Sequence, residues 1–255
     1  MRRTCSTSVA ASLRNRRGAR PVRDVVSDIK PIKVDIWSDI ACPWCYIGKR
    51  KFEAGSGLFA GAGEQRGVEI EYHSFELSPD TPVDFEGNEA EFLARHKGIA
   101  PEQAQQMLDR VTSIAASVGL NYDYDHLKHT NTVLAHEAIH FAKSQGKQLE
   151  MKERLLSAYF LEGRHVGEIS ELAALGAEIG LDADALTTAL ETHEFLGAVR
   201  EDQQTAAEFG INGVPFFVID GKYGVSGAQE AQTFAQVLEQ VWQERSGAIP
   251  EAVDA

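Results

Sequence analysis

Cysteine is scarce: three residues in a chain of 255 exclude a disulfide-stapled scaffold. No run approaches the roughly 18 consecutive apolar residues of a membrane span, and the N-terminus lacks the apolar core of a secretory signal. A twin-arginine export signal fails likewise, because nothing apolar follows Arg2 and Arg3. The protein is expected in the cytoplasm, with no membrane partner. Basic residues are few outside the first thirty, which hold eight Lys or Arg against Asp24 and Asp28, so of the net charge of −13 the remainder carries −19. An acidic body repels nucleic acid, so no nucleic-acid partner is expected.

What is present is ordinary globular material, 43% hydrophobic and 25% charged, enough for a sizeable core. Residues 1–30 are Arg-rich, Ser-containing and acid-poor, the composition of a transit peptide or of an upstream start. With few apolar residues to offset ordering entropy, they read as a disordered basic extension without catalytic consequence. Beyond them, KVDIW at 33–37 reads as a short strand, and the helical spacing of Ile47, Lys51 and Phe52 as a helix closed by Gly61 and Gly63. Alternation across 68–75 reads as a second strand. A helical block follows, with Pro101 opening one helix and Gly119, Gly146, Gly163 and Gly180 stopping successive ones. A single helix is expected from about Asp184 to Phe209. VPFFVI at 214–219 is a buried strand, KYGV returns across Asp220-Gly221 as a hairpin, and 228–244 form a closing helix.

This order is that of an α/β thioredoxin-like fold with a large all-helical insertion. Residues 31–80 and 183–246 form the thioredoxin-like part, 81–182 the insertion, and 247–255 a C-terminal tail.

The chemistry is concentrated in Cys42-Pro43-Trp44-Cys45, at a helix start. A free thiol with a pKa near 8.5 is mostly protonated at neutral pH, and only the thiolate attacks a disulfide. Unpaired N–H groups and the positive helix end lower that value for a cysteine placed as Cys42 is. Pro43 costs no hydrogen bond in the first turn. Cys45, one turn deeper, is positioned to resolve a mixed disulfide. Trp44 offers an apolar face to a substrate segment. The second element is Val214-Pro215, where a cis proline opposite the dithiol leaves the Val214 backbone free to pair with a substrate strand. Half a zinc site is the competing reading of the cysteine pair. It needs two more soft ligands, and only Cys5 and scattered histidines are at hand, so no metal is expected.

VDIWSDIACPWCYIGKRKFE and GINGVPFFVIDGKYGVSGAQ, joined by NTVLAHEA at 131–138 and the segment 155–182, resemble the FrnE branch of the DsbA-like thioredoxin family over roughly residues 33–245. The resemblance implies disulfide oxidoreductase or isomerase activity carried by Cys42 and Cys45, with Pro215 as the family's cis proline. The extra C-terminal cysteines of some members are missing here. Sister families, 2-hydroxychromene-2-carboxylate isomerase and kappa-class glutathione transferase, carry serine where this chain has Cys42 and bind glutathione.

The expected partners are peptide or small-molecule disulfides and thiols. No cofactor is needed beyond the redox-active pair, with glutathione left open as a co-substrate and a homodimer left open as the assembly. A glutathione-dependent isomerase or transferase is the runner-up, and a chaperone-like module with a vestigial pair the third reading.

Lesser candidates have structural roles as the first expectation. Asp35 faces solvent, or as a buried carboxylate takes the Cys45 proton. Asp39 is a cap or turn residue. Asn131, with Thr132, caps a helix of the insertion, and the resemblance allows Asn131 near the substrate. His136 and His140, at i and i+4, lack a third metal ligand and read as surface or core histidines.

Overall fold

In a computed structural model of the chain, which describes residues 30–62 and 66–247, the first element is β1 (Ile32–Ser38). Its alternation sends Ile32, Val34 and Ile36 into the core. The readings made for the basic extension, for Cys5 and for the tail beyond Gly247 lie outside the described residues. Helix α1 (Pro43–Gly61) follows and crosses over to β2 (Val68–Ser74), which pairs parallel to β1. Parallel strands require such a crossover. β3 (Phe216–Ile219) pairs antiparallel with β1 on the other side, and β4 (Tyr223–Ser226) closes the order β2-β1-β3-β4. Both hairpin residues, Asp220 and Gly221, take positive φ, as the tight turn of two twisted strands demands.

The closing helix α9 (Ala231–Arg245) lies against α1. Gly55 permits the approach, since a Cβ there would stand 2.5 Å from the Ala231 carbonyl oxygen. Phe52, Phe59, Phe217, Phe234 and Leu238 fill the space between these helices and the sheet, and each fully buried side chain of this size stabilises the fold by roughly 1.5–3 kcal/mol.

The insertion comprises α2 (Glu89–Lys97), α3 (Pro101–Ala116), α4 (Val133–Ser144), α5 (Gln148–Leu161) and α6 (Ile169–Glu178). Helices α7 (Ala183–Glu191) and α8 (Leu196–Glu208) lead back to the sheet. A second core, containing Leu155, Leu156, Tyr159, Leu172, Leu175 and Leu186, includes Tyr46 and Ile47 from α1. The helix carrying the dithiol is therefore held between two cores, Ile47 facing one and Phe52 the other.

Three boundaries differ from expectation. The helix foreseen over 184–209 is broken: α7 ends with His193 in the left-handed conformation and with the Glu194 N–H returning to the Ala189 carbonyl, a C-terminal motif usually supplied by glycine. The buried Glu137 carboxylate accepts from His193 Nδ1 at 2.8 Å and fixes the break. Helix α2, which apolar spacing does not signal, starts at an Asn88–Glu91 capping box and stops at Gly98. Val214 and Pro215 lie ahead of β3 rather than within it, since proline cannot donate to a ladder.

A mixed four-stranded sheet with nine helices among the described residues, five of them inserted between β2 and the return to β3, is a thioredoxin-like fold with a helical insertion.

Candidate active site

Cys42 is the N-cap of α1, with extended backbone, and its carbonyl accepts from the Cys45 N–H at 3.0 Å. Pro43 occupies the first helical position, and the Tyr122 hydroxyl donates to its carbonyl at 2.7 Å. The first turn is thus tied to the loop that follows α3. Both cysteines are 3% exposed and carry free thiols. Cys42 Sγ donates to the Val214 carbonyl at 3.5 Å, and the Val214–Pro215 bond is cis. Pro215 sits over Gly48, where a Cβ would come within 2.9 Å of its Cγ. A glycine one turn beyond Cys45 lets the loop come this close to α1.

The two sulfurs titrate as a unit. The hydrogen bond with Cys45 and burial hold the Cys42 proton, and the buried Asp39 carboxylate acts in the same direction. For Cys45, burial opposes the thiolate, but the bond from Cys42 and the Lys152 ammonium outweigh it and lower its pKa. The cation of the site therefore stands behind Cys45, whereas the sequence places the activating influence, the helix start, at Cys42. Lys152 is 1% exposed and donates to the Ser38 carbonyl at 3.5 Å, and burial pushes its pKa down to about 8 against the attraction of Cys45 and Asp39. Sequence reasoning overlooked this lysine. Its signal was present: Lys152, Leu156 and Tyr159 share one helix face, so a lysine occupies a core position of α5.

Asp39, at the end of β1, is fully buried and joins three segments. It accepts from the Leu77 N–H at 2.8 Å, from the Thr132 hydroxyl at 2.9 Å and from His136 Nε2 at 3.3 Å. Burial raises its pKa, and the bonds from His136, Leu77 and Thr132 turn the net shift downward. Its turn bond, to the Ala41 N–H at 3.4 Å, is the weakest of the set. Asp35 is remote from this chemistry, since it accepts from His73 Nε2 at 2.9 Å and pairs with Lys33 at 3.0 Å. It is not placed to take the Cys45 proton.

Above the dithiol, the insertion and the thioredoxin-like part enclose a cleft of about 330 Å³. Cys42, Pro43, Trp44 and Val214 line its floor, and Phe92, Leu93, Met107, Leu108 and Val111 from α2 and α3 form an apolar wall. Cys45 and Pro215 lie behind this lining. Asn131 does not reach the cleft: its amide donates to the Pro79 and Thr81 carbonyls at 2.9 and 3.1 Å and accepts from the Val133 N–H at 2.9 Å. Those bonds hold a wall segment, since Thr81 lines the cleft. His136 and His140 are buried and bind Asp39 and Asp202. Two groupings of metal-ligand type occur among the described residues, Asp35–Glu71–His73 and Asp84–His165–Glu168, and neither includes a cysteine.

A dithiol at a helix start, backed by a cis-proline loop and roofed by helices, defines a thioredoxin-like protein of the helically inserted class. The chain belongs to the family of the DsbA-like thioredoxin domain, whose model matches residues 33–239. It is similar to the uncharacterized protein YwbO of Bacillus subtilis (strain 168), 28% identical over 209 residues that cover 81% of this chain and 96% of that protein. Among solved structures, a probable DsbA oxidoreductase of Streptomyces coelicolor superposes with a TM-score of 0.78 at 37% identity, covering 88% of this chain and 94% of that one. A 2-hydroxychromene-2-carboxylate isomerase shares the fold, with a TM-score of 0.66 at 15% identity over 86% of this chain and 100% of that one.

Proposed function

We propose that the protein is a thiol–disulfide oxidoreductase of the FrnE type in which Cys42 is the nucleophile and Cys45 the resolving thiol. The observation that carries this is one of access: Cys42 lines the cleft and Cys45 stands behind it. A substrate disulfide entering from the cleft meets Cys42 first. Cys42 passes the proton it shares with Cys45 to the Cys45 sulfur, and the Cys42 thiolate forms a bond to one substrate sulfur as the substrate S–S bond breaks and the second sulfur leaves with the electron pair. Cys45 then gives up its proton and attacks Cys42 Sγ as a thiolate, which forms the Cys42–Cys45 disulfide and expels the first substrate sulfur, and that sulfur takes up the proton to leave as a thiol. In that second step Cys42 no longer donates to Cys45, so the Lys152 charge supports the attacking thiolate.

The Val214 carbonyl, 3.5 Å from Cys42 Sγ in the reduced protein, becomes available to a substrate backbone once Cys42 is engaged. Peptide disulfides and low-molecular-weight disulfides, glutathione disulfide included, are the substrate class, and no cofactor other than the cysteine pair takes part.

The test is trapping. Cys45→Ser should accumulate a mixed disulfide on Cys42 when offered glutathione disulfide, and Cys42→Ser should not react at Cys45 at a comparable rate. Equal labelling of Cys45 in Cys42→Ser would reverse the assignment.

A further inference from the structure

The cleft over Cys42 does not end at its apolar wall. A second opening of about 420 Å³ adjoins it and shares Leu77, Ser78, Thr81, Phe92 and His96 with it, so a groove runs from the dithiol past the end of α2 to Phe85 and Arg95. The last turn of α2 supplies Arg95, His96 and Lys97, all exposed, and His96 and Lys97 border the same cleft as Cys42. Two of these side chains are held along the groove by aromatic rings. The Arg95 guanidinium lies over the Phe85 ring at 5.6 Å, and the His96 ring stacks on Phe92 with centroids 5.3 Å apart. Stacking holds a guanidinium by its face and leaves the N–H donors of its edge for a carboxylate.

Charge sets this end of the groove apart from the rest of the surface. The chain carries −13. Lys33, Arg50, Lys51, Arg154 and Arg164 are each tied to carboxylates, whereas Arg95 and Lys97 have no such partner among the described residues. Of the acids lining the groove, Asp39 and Glu89 are buried against His136 and His129, which leaves Asp80 as the exposed one. Cations in the last turn of a helix complement its dipole, but that effect does not call for side chains stacked along a groove that leads to a reactive sulfur.

We propose that Arg95 and Lys97 are specificity residues that select disulfides flanked by carboxylates, acidic peptide segments in particular, by pairing with a carboxylate while the disulfide lies over Cys42. The inference rests on disulfide exchange at Cys42 and deepens it by naming what the cleft takes. The bonds made and broken are those of the exchange itself. The apolar wall receives the side chains nearest the sulfur, and the two cations set the direction in which a segment crosses the dithiol, with its acidic end toward the close of α2. A neutral segment of the same length gains the wall and not the cations. Ion pairs at an exposed rim act on encounter and binding, so the selection falls on the second-order rate constant.

The test measures the second-order rate at which two peptide disulfides, the oxidised dimers of acetyl-Glu-Cys-Glu-amide and acetyl-Gln-Cys-Gln-amide, oxidise the reduced full-length protein at low salt. Arg95→Gln/Lys97→Gln should lower the rate with the Glu peptide about fivefold, the size of two exposed ion pairs, and leave the Gln peptide unchanged. Lys30→Gln/Lys222→Gln removes the same charge at the opposite end of β1 from the dithiol, and it should keep the parent's ratio of the two rates. Glutathione disulfide run alongside separates the sources of the carboxylate. A loss it shares extends the class to small acidic disulfides, and a loss confined to the peptide limits the class to acidic segments. An unchanged ratio in the Arg95/Lys97 variant, or an equal shift in the Lys30/Lys222 variant, would overturn the proposal while leaving exchange at Cys42 intact. Failure of the exchange reading looks different: Cys42→Ser would retain the reaction with both peptides.

Discussion

Two assemblies of histidine and carboxylate, one beside β1 and one in the helical insertion, are finished differently. Beside α8, His73 gives Nε2 to Asp35 at 2.9 Å and Nδ1 to Asp202 at 2.8 Å, Trp37 stacks on its ring, and His140 adds a contact to Asp202 at 3.0 Å. Both nitrogens of His73 are committed. In the insertion, His129 has a carboxylate on one side only, and its second nitrogen is buried without a partner. Buried polar groups that are fully paired stabilise a fold, whereas one left unpaired costs stability. The clamp should therefore answer to measurements of stability and the cleft, which Cys42 lines, to measurements of rate.

The comparison breaks most severely at the sulfur. Cys42→Ser should abolish disulfide exchange while its thermal midpoint stays close to that of the reduced parent, because the substitution changes little volume beside the cleft. Residual exchange carried by Cys45 alone would show that the cleft does not control access.

Lys152→Met comes next and acts on both measurements. Removing the ammonium behind Cys45 raises that thiol's pKa and should slow resolution, so mixed disulfide should accumulate during turnover. The substitution takes one partner from a set of buried charges and leaves the Cys45 thiolate without its cation, so it should destabilise the fold, by up to about 3–5 kcal/mol. The lysine is held below its ordinary 10.5, at about 8. In the parent, its contribution to stability therefore grows as pH rises from about 8 toward 10.5, and it should vanish from the variant's stability–pH profile. A faster or unchanged resolving step in stopped-flow trapping would remove Lys152 from the mechanism.

The clamp supplies the opposite pH signature. Burial disfavours the His73 cation, but hydrogen bonds to Asp202 and Asp35 prevail and raise it from 6.5 to about 9. A raised pKa in the folded state means that its stabilisation is full below pH 6.5 and fades as pH rises through about 9. Denaturant titrations should show a loss of about 3 kcal/mol across that window. His73→Gln should flatten this dependence and leave exchange rates untouched. An altered exchange rate would mean that the two assemblies are coupled through β1.

The smallest effect is expected at Asn131. Asn131→Ala removes the bonds to the Pro79 and Thr81 carbonyls, worth about 1 kcal/mol in stability. It should raise KM more than it lowers kcat, because it loosens a wall rather than the chemistry. An unchanged KM would detach that wall from substrate binding.

Local rules carried the sequence a long way. The apolar alternation of β1, the proline and cysteine at the start of α1, the Asp220-Gly221 turn and the glycine stops of the insertion depend on neighbours within a few positions, and each is readable from the chain alone. The place of Val214 opposite the dithiol was legible too, because the fold order sets the proline loop against the helix start, but the sequence read the Val214 backbone as free, whereas its carbonyl accepts from the Cys42 thiol. The break between α7 and α8 was not, since it depends on Glu137, a residue 56 positions from His193. The chemical character of Lys152, Asp39 and His129 was hidden for the same reason. A lysine lowered to about 8, a carboxylate joining three segments and an imidazole with one free nitrogen are products of burial and of partners brought from other elements. No local pattern encodes those environments. The sequence by itself determined the order of the elements and where the sulfur chemistry sits, because both are set by short-range geometry. Only the tertiary structure decided which sulfur faces the cleft, which cation stands behind the pair and which histidine is left open, because desolvation and charge pairing arise when distant segments close on one another.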